Sequence, residues 1–383
     1  MRSPLLFTIC LAVSLLTGVL LGAVLFQYSF SAEQRSIATL YRAITQINRH
    51  YVAPMDHAAL TNKAIDGLLT QLDADSMLLD QLAYESYLAQ SRGHYGGVGL
   101  RLQQRAKGIF VESVVPTSPA AKAKINSGDQ LIEVDSLAVA GQSFNQLLER
   151  LRGPVGSKVT LATISPAATQ AAHSTLTRAA IAIQSVSHRE LEHAIGLLRI
   201  KEFSYGTAEH AAAALADLQK SEMAGLIIDL RNNPGGLLTE AIAVADLFVD
   251  QGQLLVTRGG GPENVSHPHQ NHEFVAQSGD ILAGKPIAVL VNGASASAAE
   301  VVATALQRNE RATLIGTRTF GKGSVQTLLP PFDEQRRLKL TTAYYLDKNG
   351  ERIHNRGILP DIVTDGDDAR TLAAAVTLLT EAR

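Results

Sequence analysis

Two serines stand one residue apart in VNGASASAAE, residues 291–300, where an apolar run turns into a helical stretch. A hydroxyl at such a corner either caps the helix or attacks an electrophile once a base has taken its proton. No His or Asp stands beside Ser295 or Ser297 to act as that base. A second segment, TFGKGSVQT (319–327), holds Lys322 between two glycines, with Gln326 four residues on. Burial turns a lysine into a neutral amine that accepts a hydroxyl proton, and Gln326 is placed to orient it. A glycine-flanked lysine also serves phosphate loops, but GKGS lacks the G-x-x-x-x-G-K-[ST] spacing. A third segment, RNNPGG (231–236), presents backbone N–H groups that could hold an oxyanion. Taken singly, these pieces are also compatible with a helix cap, a surface lysine and a tight turn.

The elements that must position them are legible. AGLIIDLR (224–231) and PIAVLV (286–291) are continuous apolar runs, expected as buried parallel strands. Each leads through a glycine-containing corner into an Ala-rich helical stretch, LLTEAIAVADLFV and SAAEVVATALQ. Both corners therefore fall at carboxyl ends of parallel strands, where open α/β sheets assemble their sites. Residues 91–170 differ: GVGLRL, GIFVESVV, DQLIEVD and KVTLATI alternate with Gly, Pro and Ser, which reads as a small β-rich domain with two short helices. AATQAAHS (167–174) is expected as a boundary loop, and GGGPENVSHPHQNH (259–272) as an exposed one. IATLYRAITQI and HAALTNKAIDGLLTQL, before residue 90, have helical periodicity.

The 383 residues are 46% hydrophobic and 18% charged, which suits a folded chain of two or three domains. A formal net charge of −2 advertises no nucleic-acid partner, and a single Cys excludes an intrachain disulfide. Arg2 precedes an uncharged run over residues 5–26, as long as the roughly 20 residues of a spanning helix. The expectation is an inner-membrane anchor that sends the rest of the chain to a bacterial periplasm or cell envelope. Ser29-Phe30-Ser31 offers a cleavage site that would make the protein secreted.

In combination, SASAAE, TFGKGSVQT and LRNNPGG resemble the C-terminal processing peptidases, or tail-specific proteases, of the S41 serine-protease class. HYGGVGL (94–100), TSPAAKAKINSGDQLIEVDS (117–136) and LRGPVGSKVTL (151–161) are similar to the PDZ domain of that family. LKLTTAYY (338–345), GILPD (357–361), YVAPMD and LDADSMLLD extend the resemblance over nearly the whole chain. It implies a crotonase/ClpP-like spiral ββα core within an α/β (α+β overall) chain, with an inserted PDZ-like domain. The segments would be residues 1–31 as anchor or signal, 32–90 helical, 91–170 PDZ-like, and 171–383 peptidase core with its tail.

The resemblance further implies a Ser–Lys dyad, with Ser297 rather than Ser295 as nucleophile, Lys322 as general base and Gln326 orienting it. The oxyanion donors would be the amides of Gly236 and Ala298. Asp229, Arg231 and Glu300 match supporting charged positions, expected to act by ion pairing. Ala299 stands where the family pattern has a third serine. Gly96, Gly97, Val98, Gly99 and Leu100 would capture a substrate's free C-terminus, and Arg152 would couple docking to the active site. Partners implied are protein or peptide substrates, an adaptor or activator protein, and further copies in a homo-oligomer. No cofactor or metal is implied; His267, His269 and His272 lack a helical register and a carboxylate cluster. The rival functions are a catalytically silent PDZ scaffold that binds C-terminal tails and a crotonase-type acyl-CoA enzyme.

Overall fold

The computed structural model describes residues 14–18, 31–259, 271–277, 279–333, 336–346 and 350–381. Contacts divide the chain into two compact units, Met1–Met77 and Leu78–Arg383.

The first unit contains helices Ala32–His50 and His57–Thr70. Ser31 and Gln34 form a reciprocal capping box at the first. Asp56 caps the second by accepting from the Ala59 amide at 2.6 Å. The membrane anchor expected over residues 5–26 is corrected here. Of that run only residues 14–18 are described, and they are helical. Residues 5–13 and 19–26 lie outside the described residues. Among the described residues no helix is long and apolar enough to cross a membrane. The inner-membrane placement built on that anchor falls with it.

The second unit is a mixed α/β structure with a β-rich part. Its main sheet runs in the order Val186–Leu191, Ile195–Ile200, Gly225–Asp229, Ile287–Val291, Thr313–Gly316, Ile362–Val363. The first pair is antiparallel and the remainder parallel. Every residue of Gly225–Asp229 and Ile287–Val291 is buried, because both faces are covered. Leu226, Ile228, Val289 and Val291 pack against helices Thr207–Leu218, Leu238–Asp246 and Ala298–Arg308. Ile227, Ala288, Leu290 and Ile315 face the C-terminal helix Asp368–Glu381 through Ala375 and Leu379. Each such aliphatic side chain contributes about 1.5–3 kcal/mol on burial, so the apolar runs could not rest on an open face.

Three neighbouring parallel strands, Gly225–Asp229, Ile287–Val291 and Thr313–Gly316, deliver their following corners to one end of the sheet. Those corners carry Gly236, Ser297 and Lys322 in turn. Beside them lies an antiparallel hairpin, Ser324–Pro331 with Arg337–Leu346, whose first strand brings in Gln326 and whose second brings in Tyr345.

The β-rich part has Leu100–Arg105, Gly108–Val114, Gln130–Val134, Lys158–Ile164 and Ala172–Thr177 in sheet order. Helices Pro119–Lys122 and Phe144–Leu151 accompany these strands. The loop expected over residues 167–174 therefore ends early: Ala172–Thr177 pairs along Lys158–Ile164, and Leu176 enters the core. His94–Gly97 pairs with Ala179–Ala182, closing the base of this part.

Candidate active site

Ser297 sits on the corner between strand Ile287–Val291 and helix Ala298–Arg308, with φ 54° and ψ −115°. A non-glycine residue held there costs about 1–3 kcal/mol and needs firm support. Buried hydrogen bonds on either side supply that support. Ser295, fully buried, donates its hydroxyl to the Leu230 carbonyl at 2.8 Å and accepts from the Asn292 amide at 2.9 Å. It is a structural clamp between two corners. Ser297 is 8% exposed and lines a cavity of about 430 Å³ together with Gly235, Gly236, Lys322, Gln326 and Tyr345.

The Pro-Gly-Gly corner is fastened to the serine corner from below. Asn233, fully buried, receives the Gly235 amide on Oδ1 at 2.8 Å and the Ala296 amide on its carbonyl at 2.9 Å. Asn232 and Asn292 pair across the same gap. A Cβ on Gly235 would lie 2.7 Å from the Ser297 Cβ and 2.9 Å from the Ala298 nitrogen. At Gly236 it would lie 2.1 Å from the Phe203 carbonyl oxygen. Both positions combine positive φ with backbone approach that no side chain tolerates. Ala298 is the first residue of its helix, so its amide has no intrahelical acceptor.

Glu300 joins the lysine corner to the serine corner. It is 0% exposed. Its Oε2 accepts the Ser297 amide at 2.9 Å and the Lys322 amide at 2.8 Å. Its Oε1 accepts the Gly321 amide at 2.8 Å and the Thr319 hydroxyl at 2.5 Å. The sequence pointed to ion pairing for Glu300; the carboxylate instead binds three amides and a hydroxyl. Asp229 and Arg231 form a forked ion pair, Nε to Oδ1 at 2.9 Å and Nη2 to Oδ2 at 2.8 Å. The Asp229 bonds raise the Arg231 guanidinium above its ordinary range. Arg231 also donates to Asp368 at the start of the C-terminal helix, so this pair ties the Pro-Gly-Gly corner to that helix.

Gln326 donates to Ser324 Oγ at 2.9 Å and Thr341 Oγ1 at 3.3 Å. The motifs assigned no role to three residues here: Asn233, within RNNPGG, Tyr345, within LKLTTAYY, and Glu202. Tyr345 is 3% exposed, and burial pushes its phenol up to about 12, opposed by a hydrogen bond with the Ser297 hydroxyl. The long strand LKLTTAYY marked the location of Tyr345 without saying which of its two tyrosines turns inward.

Glu202 lines both the cavity that holds Ser297 and Lys322 and a second, open groove of about 720 Å³ in the β-rich part. Tyr95, Gly96, Leu100, Phe144 and Arg152 line that groove. Gly97, Val98 and Gly99, expected in the same loop, are not among its lining; Val98 is buried in the core of the β-rich part. Gly96 accepts the Gly153 amide at 3.0 Å, and the Arg152 guanidinium stacks 5.2 Å over the Tyr95 ring. Burial raises the Glu202 carboxyl, and Arg152 acts against that rise. Of the histidines weighed as metal ligands, His267 and His269 lie outside the described residues, and His272 packs on Phe274 with ring centroids 4.4 Å apart.

Residues 194–364 match the model of peptidase family S41, and residues 88–164 match the PDZ domain. A carboxy-terminal-processing protease of Bartonella bacilliformis is 36% identical over 359 residues, covering 91% of this chain and 81% of that protein. The carboxy-terminal processing protease CtpA of Bacillus subtilis is 33% identical over 348 residues, covering 91% and 73%. Among solved structures, the photosystem II D1 C-terminal processing protease matches with a TM-score of 0.52 at 28% identity, covering 90% of this chain and 97% of that one. The chain belongs to peptidase family S41. It is a serine-type endopeptidase that carries a PDZ domain, and its substrates are proteins or peptides.

Proposed function

We propose that this protein cleaves proteins near their C-termini with Ser297 as nucleophile and Lys322 as general base. Lys322 takes the Ser297 hydroxyl proton as Oγ bonds to the scissile carbonyl carbon. The amides of Gly236 and Ala298 hold the oxyanion in a water-poor corner, where fixed donors act on charge as it develops. The lysine ammonium then gives its proton to the leaving amine, and the C–N bond breaks. Water, relieved of a proton by the same amine, attacks the acyl-enzyme and frees Ser297. Gln326, on the strand that follows Lys322, orients the lysine. The observation that carries the reading is the single Glu300 oxygen receiving the amides of both Ser297 and Lys322.

The PDZ groove is the docking place for the substrate's tail: its free carboxylate meets the Gly96–Leu100 loop while the chain adds to a strand edge. Arg152 reports docking through Glu202, which borders both cavities. An adaptor or activator protein and homo-oligomeric assembly complete the proposal; both rest on the family resemblance.

The test is cleavage of a peptide with an apolar free C-terminus by wild type, Ser297→Ala and Lys322→Ala, beside a C-terminally amidated copy. Cleavage by wild type alone, with the amidated copy at least tenfold slower, is expected. A chain that only binds tails would leave the peptide intact in every sample while still retaining it.

A further inference from the structure

Behind the lysine corner lies a small pocket of about 290 Å³ that the peptidase reaction does not use. Four arginines line it, Arg308, Arg318, Arg352 and Arg356, with Thr304 and Gln307. They come from three separate segments: the end of helix Ala298–Arg308, the turn before Thr319, and the loop after residue 350. No Asp or Glu is among the described residues that line the pocket. Two carboxylates lie nearby, and one of them holds a pocket arginine. Glu351 pairs with Arg356, and Asp361 accepts Gln307 Nε2 at 2.8 Å and the Leu314 amide at 2.7 Å. Arg352 stacks 4.5 Å over the Tyr344 ring, and Arg318 donates to the Arg356 carbonyl at 3.0 Å. Arg308 donates to the Leu346 carbonyl at 3.5 Å, and burial pulls it down to about 10.

We propose that this arginine pocket binds a small phosphate-bearing anion. Guanidinium forks match phosphate oxygens two at a time, and gathering several like charges in one concavity is unfavourable until an anion fills it. A doubly charged oxyanion offsets more of that repulsion than one carboxylate does.

The bound anion would also brace the catalytic lysine. Arg318 adjoins Thr319, whose amide donates to the Ile358 carbonyl at 3.1 Å and whose hydroxyl receives the Ile358 amide at 2.7 Å. Asn355 donates to the Gly321 carbonyl at 2.8 Å. Drawing Arg318, Arg352 and Arg356 onto one ligand therefore tightens the two strands of chain between which Lys322 is held.

The experiment is thermal unfolding of the full chain in sodium phosphate against sodium chloride of equal ionic strength. Arg352→Gln/Arg356→Gln and Arg318→Gln serve as separate variants. At tenfold above Kd, wild type should gain roughly 3 °C in Tm, saturably. The gain should shrink at least threefold in either variant that retains the wild-type circular dichroism spectrum. Isothermal titration of wild type with inorganic phosphate gives the same answer without a variant. No saturable gain and no titration heat, or equal gains in the variants, would overturn the site. Vesicles containing phosphatidylglycerol form a second arm: arginine-dependent co-sedimentation assigns the phosphate to a lipid headgroup, and its absence together with a Tm gain assigns it to the free ion.

Discussion

Ser297 and Lys322 share one acceptor: both donate a backbone amide to Oε2 of Glu300, at 2.9 and 2.8 Å. The distance between the two corners is thus set by one buried carboxylate, not by their side chains. Replacing it with an amide leaves the shape but puts N–H groups against N–H groups. Glu300→Gln should lower stability by about 3 kcal/mol, as for a broken buried charged network. It should lower kcat/KM on the order of 10²-fold. Unfolding in urea with peptide assays at a temperature where the variant remains folded would check both; wild-type kinetics would remove Glu300 from the machinery.

The two serines of the opening motif should separate cleanly. Ser297→Ala is expected to abolish cleavage with Tm unchanged or raised, since it removes the reacting hydroxyl and no clamp. Ser295→Ala loses the hydroxyl bonds to Leu230 and Asn292. It should cost about 1–3 kcal/mol while substantial activity survives. Activity retained in Ser297→Ala would reassign the nucleophile.

Gly236→Ala would set a Cβ 2.1 Å from the Phe203 carbonyl oxygen, so the corner must move and take its amide with it. Loss of one oxyanion donor costs about 10²–10³ in kcat. Binding of a C-terminal peptide to the PDZ groove should be untouched, which titration with Ser297→Ala as the parent would measure.

Tyr345→Phe removes a buried hydroxyl beside the nucleophile. Because burial lifts the phenol to about 12, it stays protonated wherever the enzyme is assayed. Its contribution to stability is full below pH 10 and is lost as pH rises through about 12. The variant should lose about tenfold in kcat, with KM within twofold, and should not show that alkaline loss. An unchanged kcat would leave Tyr345 a packing residue.

Glu202 has a carboxyl raised by burial, with Arg152 opposing. A raised folded pKa means the favourable, protonated state is fully present below the ordinary value of 4.5. That contribution fades as pH rises through the folded value. Glu202→Gln should therefore raise Tm at pH 7 and lose its advantage toward pH 3.5. Arg152→Ala should enlarge the gain, because it removes the cation that favours the carboxylate. Melting curves of wild type, each single variant and the double variant across that range decide it.

The sequence by itself determined the elements and supplied the candidates for the reacting groups. AGLIIDLR and PIAVLV had to be buried strands because an apolar run with no polar face has nowhere else to go. Glycines at 235, 236, 321 and 323 marked where backbone approaches backbone. SASAAE, TFGKGSVQT and LRNNPGG together carried the family, and with it Ser297 and Lys322. Residues 5–26 show the limit of such reading, since apolar length alone suggested an anchor that the described helices do not supply. Only the tertiary structure decided what holds the corners in register. Ser295 binds Leu230 65 positions away, Asn292 binds Asn232 60 away, Asn233 binds Ile200 33 away and Glu300 binds Lys322 22 away. Hydrogen-bond partners so distant leave no local periodicity. Which tyrosine faces the serine, which glycines face the PDZ groove, and how four scattered arginines meet behind Lys322 all follow from strand order and register, which are set by the packing of whole faces.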